Sequence, residues 1–265
     1  MNRFPPGKVL DTIVAHKIQE VAARKAQLPL ADFLPQLQKI TSQPLETAIR
    51  QSAGKSAFIL EIKPASPSAG QLKATLDLDP LLALYTQYGA AISVLTDQTY
   101  FGGSLGLLQQ VAKQVSLPTL CKDFVMDPYQ VYEARKAGAQ AVLLIVKALS
   151  DSQLSLLNQL ILDWGMTPLI EVQDEAEVDR ALAVNPSILL INNRDLQTLT
   201  MDLSTTHRLA PRIPDSVLKI SASGMQTRED ILRLQDYCDG FLIGSTLMRE
   251  PTPLALEKKL QGLLT

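Results

Sequence analysis

The chain has 265 residues, 46% of them hydrophobic, 20% charged and 5% aromatic, and its 25 Lys and Arg against 27 Asp and Glu leave a net charge of −2. That balance excludes a nucleic-acid protein held by a general basic field, and 13 Gly with 16 Pro exclude a collagenous or low-complexity chain. Two cysteines, Cys121 and Cys238, are too few for a disulfide framework or a cysteine-rich zinc site, and no apolar run approaches the roughly 18 residues of a membrane span, so a cytoplasmic protein with no membrane and no nucleic-acid partner is expected.

The stretch from Met1 to Leu10 carries no long apolar core ahead of a small-residue cleavage site, so no leader is expected. Val9, Ile13 and Ile18 between polar residues predict a helix over 7–25, and PLADFLPQL predicts a shorter one. About 50 residues is marginal for an independent core, so residues 1–50 read as an N-terminal helical extension of a single domain covering 1–265.

From residue 57 onward one pattern repeats: a short apolar, β-branched run, then an amphipathic segment. The runs are AFILEIK (57–63), AAISVLTD (90–97), PTLCKDF (118–124), AVLLIVK (141–147), TPLIEV (167–172), ILLINNR (188–194), LKISAS (218–223) and FLIGST (241–246). Near-continuous apolar runs suit parallel strands covered on both faces. Helix punctuation lies between them. Asp79-Pro80 and Asp127-Pro128 read as an N-cap followed by proline at the first helical position, with Gly89 and Gly138 as stops. Asp174 with Glu177 and Thr227 with Asp230 resemble capping boxes. Asp151 opens a segment that Gly165 closes. Eight strands alternating with helices predict a parallel α/β architecture, and eight closes a (β/α)8 barrel. An open doubly wound sheet is disfavoured, because no Gly-rich dinucleotide turn follows the first strand.

A barrel of this kind places its active site at the C-terminal strand ends. Those ends read Glu61-x-Lys63, Thr96-Asp97, Lys122-Asp123, Lys147, Glu171, Asn192-Asn193-Arg194, Ser221-x-Ser223 and Gly244-Ser245. One polar strand end is ordinary; eight around one mouth, with Lys63, Lys122, Lys147, Arg194, Glu61 and Glu171 converging, predict a site whose charges shift one another's ionisation. Ser223-Gly224 and Gly244-Ser245 fall where such barrels hold a phosphate on backbone N–H groups, and Ser66 to Gly70 forms a third polar loop. His16 and His207 fall in helices, away from the strand ends, so a zinc or histidine-triad site is not expected. Cys121 should point away from the lumen, being one residue before Lys122 on the same strand. Arg135 and Lys136 read as a solvated face and Trp164 as packing.

The segments EIKPASPSAG (61–70), SVLTDQTYFGGS (93–104), CKDFVMDPYQVYEARKAGA (121–139), LIEVQDEAE (169–177), INNRDL (191–196) and FLIGSTLM (241–248) resemble, in order, the indole-3-glycerol phosphate synthase family. The resemblance implies a (β/α)8 barrel with an N-terminal helical extension. It implies conversion of 1-(o-carboxyphenylamino)-1-deoxyribulose 5-phosphate to indole-3-glycerol phosphate without cofactor or metal. It also implies a phosphorylated small molecule as substrate and other tryptophan-pathway enzymes as partners. Lys122 resembles the general acid, Glu171 the carboxylate of the dehydration step, Lys63 a lysine that holds substrate anions, Glu61 its charge partner, and Asn192 and Arg194 the groups that position carboxylate and hydroxyls. Ser66, Ser223, Gly224, Gly244 and Ser245 fall on the family's phosphate loops, and Phe101, Phe124 and Leu143 resemble the apolar wall around the anthranilate ring.

One departure stands out. The family usually reads Ser-Glu-Ser-Gly after the seventh strand, whereas this chain has Ser221-Ala222-Ser223-Gly224. Pro64 and Ala69 stand where lysines are common. The expectation is an active synthase, slower than usual because of Ala222. The competing readings are a paralogue that binds without turnover, and a barrel acting on another phosphosugar as isomerase or lyase.

Overall fold

The computed structural model describes residues 8–40, 43–52, 56–67, 70–73 and 76–264. Eight parallel strands close a barrel: β1 (Ala57–Ile62), β2 (Ala91–Leu95), β3 (Thr119–Lys122), β4 (Ala141–Ile145), β5 (Thr167–Val172), β6 (Ile188–Asn192), β7 (Leu218–Ala222) and β8 (Gly240–Ile243). Each neighbours the next in sequence, and β8 pairs with β1 through Ala57↔Gly240 to Leu60↔Ile243. All eight apolar runs are strands, and helices follow them as in a (β/α)8 barrel.

Side chains on a strand alternate between faces, and that alternation divides the core into two layers. Phe58, Leu60, Ile62, Ile92, Val94, Val142, Leu144, Ile170, Val172, Leu189 and Ile191 belong to the layer under the helices. Ile59, Ala91, Leu120, Leu143, Leu169, Leu190, Ile220 and Leu242 fill the lumen. Burying one such Leu or Ile contributes about 1.5–3 kcal/mol, so the outer layer can hold the barrel while a few lumen positions at the mouth carry polar groups. Cys121 lies in the outer layer, as its position before Lys122 requires.

Local chemistry sets the helix starts. Asp127 caps the helix Pro128–Lys136 by accepting from Tyr129 N, and Gln130 completes a capping box. Asp174 accepts from Glu177 N, but the Glu177 carboxylate reaches one residue further back, to Gln173 N. Thr227 and Asp230 form a full capping box, and so do Ser150 and Gln153 ahead of Asp151–Asp163. The Asp79-Pro80 expectation shifts: the helix runs Leu78–Tyr88 after Asp77, so Asp79 sits in its first turn.

The described part of the extension holds helix α1 (Val9–Gln27), and a short helix Leu30–Phe33 follows. Pro44–Gln51 buries Leu45 and Ile49, and Arg50 Nη2 donates to the Ser216 carbonyl just before β7, so this helix covers the N-terminal end of the barrel. Arg135 is not on a free solvated face: its guanidinium donates to the Gln38 carbonyl at 2.9 Å and the Ala139 carbonyl at 2.8 Å, tying the extension to the barrel. Lys136 stands over the Phe33 ring, 4.7 Å from its centroid. Trp164 packs edge-on against Tyr132. Among the described residues, no helix is long and apolar enough to cross a membrane.

Candidate active site

A cavity opens at the C-terminal ends of the strands, and all fourteen site residues expected from the sequence line it: Glu61, Lys63, Ser66, Phe101, Lys122, Phe124, Leu143, Glu171, Asn192, Arg194, Ser223, Gly224, Gly244 and Ser245. The alternation of strand faces explains how. Glu61, Lys122, Glu171, Asn192 and Ala222 all occupy lumen-facing positions at or one step from a strand end. Ser68 and Ala69 lie outside the described residues; the flanking pairs Ala65–Ser66 and Gly70–Gln71 form a small antiparallel ladder.

Two ion pairs occupy one side of the mouth. Lys63 Nζ donates to Glu61 Oε1 at 2.7 Å, and Lys122 Nζ donates to Glu171 Oε2 at 3.4 Å. Both carboxylates are buried, at 2% and 1% exposure, whereas both ammonium groups retain access to the cavity. Asn192 Nδ2 donates to Glu171 Oε1 at 2.8 Å, and Asn192 Oδ1 accepts from Arg194 N at 3.0 Å. Glu171 is thus held from both oxygens. Glu61 Oε2 is buried with no hydrogen-bond partner, so this acid has an acceptor site to spare. Phe101 and Phe124 stand 6.0 Å apart, centroid to centroid, and with Leu143 give the cavity an apolar wall.

The side under β7 and β8 is built differently. Ser223 (φ 67°) and Gly224 (φ 95°) turn the backbone through the left-handed region. A Cβ on Gly224 would meet Leu203 Cδ2 at 2.7 Å, and one on Gly244 would collide with Glu61 Oε1. Glycine at 244 therefore lets the Glu61 carboxylate sit against the backbone after β8. Asn193 faces outward and fastens the two strand ends: its Nδ2 lies within hydrogen-bond distance of Ser221 Oγ and the Ala222 and Ser223 carbonyls. Ala222 pairs in register with Asn192 and brings no carboxylate to the lumen.

Some expectations are corrected. Lys147 does not line the cavity; it lies in a short turn after β4 and pairs with Asp195 Oδ2 at 3.6 Å. His16 is not remote from the strand ends: its ring meets Tyr100, in the segment after β2, edge-on at 5.6 Å. Ile18 is 59% exposed, and the inward stripe of α1 runs through Val9, Ile13, Lys17 and Val21 instead. Sequence reasoning also missed Arg249, which lines the cavity. Burial, and then the Arg249 charge, lower the pKa of the Arg194 guanidinium from its usual value. Neither arginine has a carboxylate partner within salt-bridge distance among the described residues, and an anion between them would relieve their repulsion. Val9, Leu10 and Ile13 of α1 also line the cavity; their apolar character was the only sequence signal for this.

The arrangement can protonate a substrate oxygen from an ammonium group, move a proton through a fixed carboxylate, stack an aromatic ring and hold two anionic ends. Comparisons with known proteins identify relatives over most of the chain. The family model described as indole-3-glycerol phosphate synthase matches residues 10–260. The chain is 44% identical over 256 residues to the "Tryptophan biosynthesis protein TrpCF" of Vibrio cholerae, covering 96% of this chain and 54% of that protein. It thus spans about half the length of the relatives of that name. It is 40% identical to the indole-3-glycerol phosphate synthase of Polaromonas naphthalenivorans, covering 92% of this chain and 95% of the relative. The corresponding Leuconostoc mesenteroides protein is 39% identical over 96% of this chain and 99% of its own length. Among solved structures, the tryptophan synthase alpha subunit of Legionella pneumophila superposes with a TM-score of 0.62 at 12% identity, over 84% of this chain and 99% of that one. At that identity the likeness speaks for the barrel alone.

Proposed function

The chain belongs to the indole-3-glycerol phosphate synthase family, and from that premise we propose that it converts 1-(o-carboxyphenylamino)-1-deoxyribulose 5-phosphate to indole-3-glycerol phosphate. The observation that carries this reading is the Lys122–Glu171 pair, 3.4 Å apart, set between an aromatic wall and two glycine-bearing loops. Lys122 donates a proton to the substrate's ketone oxygen as the ring carbon bearing the carboxylate attacks the ketone carbon. That carboxylate leaves as carbon dioxide, and its bonding electrons restore the aromatic ring. The hydroxyl left at the former ketone carbon departs as water, with Glu171 handling the proton that must be lost to form the indole double bond. General acid–base groups of this kind contribute about 10²–10⁴-fold each.

The remaining residues orient. Asn192 fixes Glu171, and Glu61 holds Lys63 beside the substrate's anionic groups. Arg194 grips the carboxylate, a task suited to parallel guanidinium hydrogen bonds. Ser66, Ser223, Gly224, Gly244 and Ser245 take the phosphate, with backbone N–H groups as donors. Phe101, Phe124 and Leu143 flank the anthranilate ring. The relatives' name, Tryptophan biosynthesis protein, supports other enzymes of that pathway as functional partners.

Ala222 favours one second reading, a paralogue that binds this substrate without turning it over, because a lumen position opposite Asn192 lacks a carboxylate. Indole fluorescence separates the two. Purified protein mixed with the carboxyphenylamino substrate is expected to produce it, with inorganic phosphate competing. Saturable binding with no product sinks the synthase reading and leaves the paralogue.

A further inference from the structure

Lys17 is the largest charged side chain that the extension buries, at 0% exposure, and the chemistry above makes no use of it. Its Nζ lies 2.8 Å from Asp97 Oδ2, 3.0 Å from Asp123 Oδ1 and 3.0 Å from Glu20 Oε2. An ammonium group shut away from water is costly unless carboxylates surround it, and here three do. Burial pulls its pKa down, but Asp123 and Asp97 outweigh that and hold it above the usual lysine range. The charge is therefore a permanent feature of the fold.

The two aspartates are what matter for the mouth. Asp123 directly follows Lys122; its Oδ1 accepts from Phe124 N at 2.8 Å and its Oδ2 from Thr96 Oγ1 at 2.8 Å. Asp97 caps the short helix Gln98–Phe101 by accepting from Tyr100 N at 2.7 Å. One aspartate thus fixes the turn that carries Lys122 and Phe124, and the other the helix that carries Phe101. Lys17 joins both turns to α1, whose Val9, Leu10 and Ile13 line the same cavity. Further down α1, Lys25 pairs with Asp127 at 2.6 Å and Arg24 with Glu133 at 3.2 Å, so the seam continues along the helix after β3. Lys17 is the part of that seam that reaches the strand ends.

We infer that Lys17 is a positioning residue for the reaction: it sets the turn of the general acid Lys122 and the two phenylalanines, and so makes the N-terminal extension part of the active site. This inference rests on the roles proposed for Lys122, Phe101 and Phe124. A displacement of about 1 Å at a reacting group can cost on the order of 100-fold in rate, which is the scale at issue.

The test compares Lys17→Met and Lys17→Arg in the full chain, with melting temperature measured beside kcat and KM. Lys17→Met is expected to lower kcat about 10- to 100-fold with a much smaller change in KM. Lys17→Arg, which keeps a cation between the aspartates, recovers most of kcat. A Lys17→Met protein that melts earlier but keeps its kcat at a temperature where it is folded would overturn the inference, since a purely structural tie would behave that way. If Lys17→Met does not fold, the double variant Lys17→Met with Asp97→Asn removes one of the unpaired carboxylates. Restored folding with kcat still low supports positioning, and full kcat overturns it. The wild-type protein is the control for the reaction itself: if it makes no product, the synthase reading has failed, and the inference is read instead from the rate at which acetic anhydride modifies Lys122, mapped by mass spectrometry. A changed rate in Lys17→Met supports the inference, and an equal rate overturns it.

Discussion

The two sides of the barrel mouth use different materials. Under β1, β3, β5 and β6 the groups are side chains in matched ion pairs, Glu61 with Lys63 and Glu171 with Lys122, each carboxylate buried and each ammonium facing the cavity. Under β7 and β8 the surface is backbone, bent through Ser223 and Gly224 and bare at Gly244, with Arg249 near by and no carboxylate at 222. The first side presents paired ammonium and carboxylate groups, the kind of side chain that general acid–base chemistry uses. The second offers fixed dipoles and unneutralised positive charge, features suited to holding an anion. The substrate proposed above, with a reacting ring at one end and a phosphate at the other, would span that difference.

The contrast can be broken most sharply at Lys122. Lys122→Ala is expected to lower kcat by about 10²–10⁴-fold while substrate binding changes little, because the anion-holding side is untouched. Equal losses in kcat and affinity would show that the two sides do not divide the work this way. Ala222→Glu probes the boundary. A carboxylate there faces Asn192 across the β6–β7 ladder and gives the β7 side a counter-charge; kcat is expected to rise by a few-fold. A fall would mean that the pocket is tuned to alanine.

The smallest effect concerns the seam beside the paired side. Burial raises the Glu133 carboxyl to about 7, with the Arg24 charge opposing and Asp123 and Glu20 adding to the shift. A carboxyl that holds its proton more tightly in the folded state stabilises the fold fully below its ordinary value of about 4.5, and that stabilisation fades as pH rises through about 7. The melting temperature is expected to decline by a few degrees between those limits, and Glu133→Gln should flatten the decline. Glu177, also raised to about 7 by burial and then by Asp174, contributes in the same sense. An unchanged slope in the Glu133→Gln, Glu177→Gln double variant would place the titration elsewhere.

The strands were legible because each is a continuous apolar run ending on a polar residue, and parallel strands buried on both faces permit little else. Caps at Asp127, Asp174 and Thr227 were legible because an N-cap is a local hydrogen bond, decided within three or four residues. What the sequence hid was non-local. Lys17 and Ile18 are neighbours, and hydrophobicity alone assigns the isoleucine to the inner face. The lysine is inside because Asp97 and Asp123, 80 and 106 residues further on, meet it there. Lys147 failed for the opposite reason: its run ends like the others, but the chain turns after Ile145 and carries the side chain to Asp195. Arg249 follows the last strand by several residues and shows no pattern of its own; only the short helix Ser245–Met248 brings it to the cavity.

The alternation of faces along the strands has a consequence for how such a protein can change. Residues that set the chemistry and residues that hold the helices interleave one by one, as Glu61 sits between Leu60 and Ile62 and Ala222 follows the outward Ser221. A substitution at a lumen position near the mouth alters charge and shape there without removing a contact from the layer outside. Chemistry and durability are therefore separately adjustable in one strand. A library confined to the mouth-end lumen positions 61, 122, 171, 192 and 222 would search for new reactions while leaving the rest of the apolar core of both layers in place.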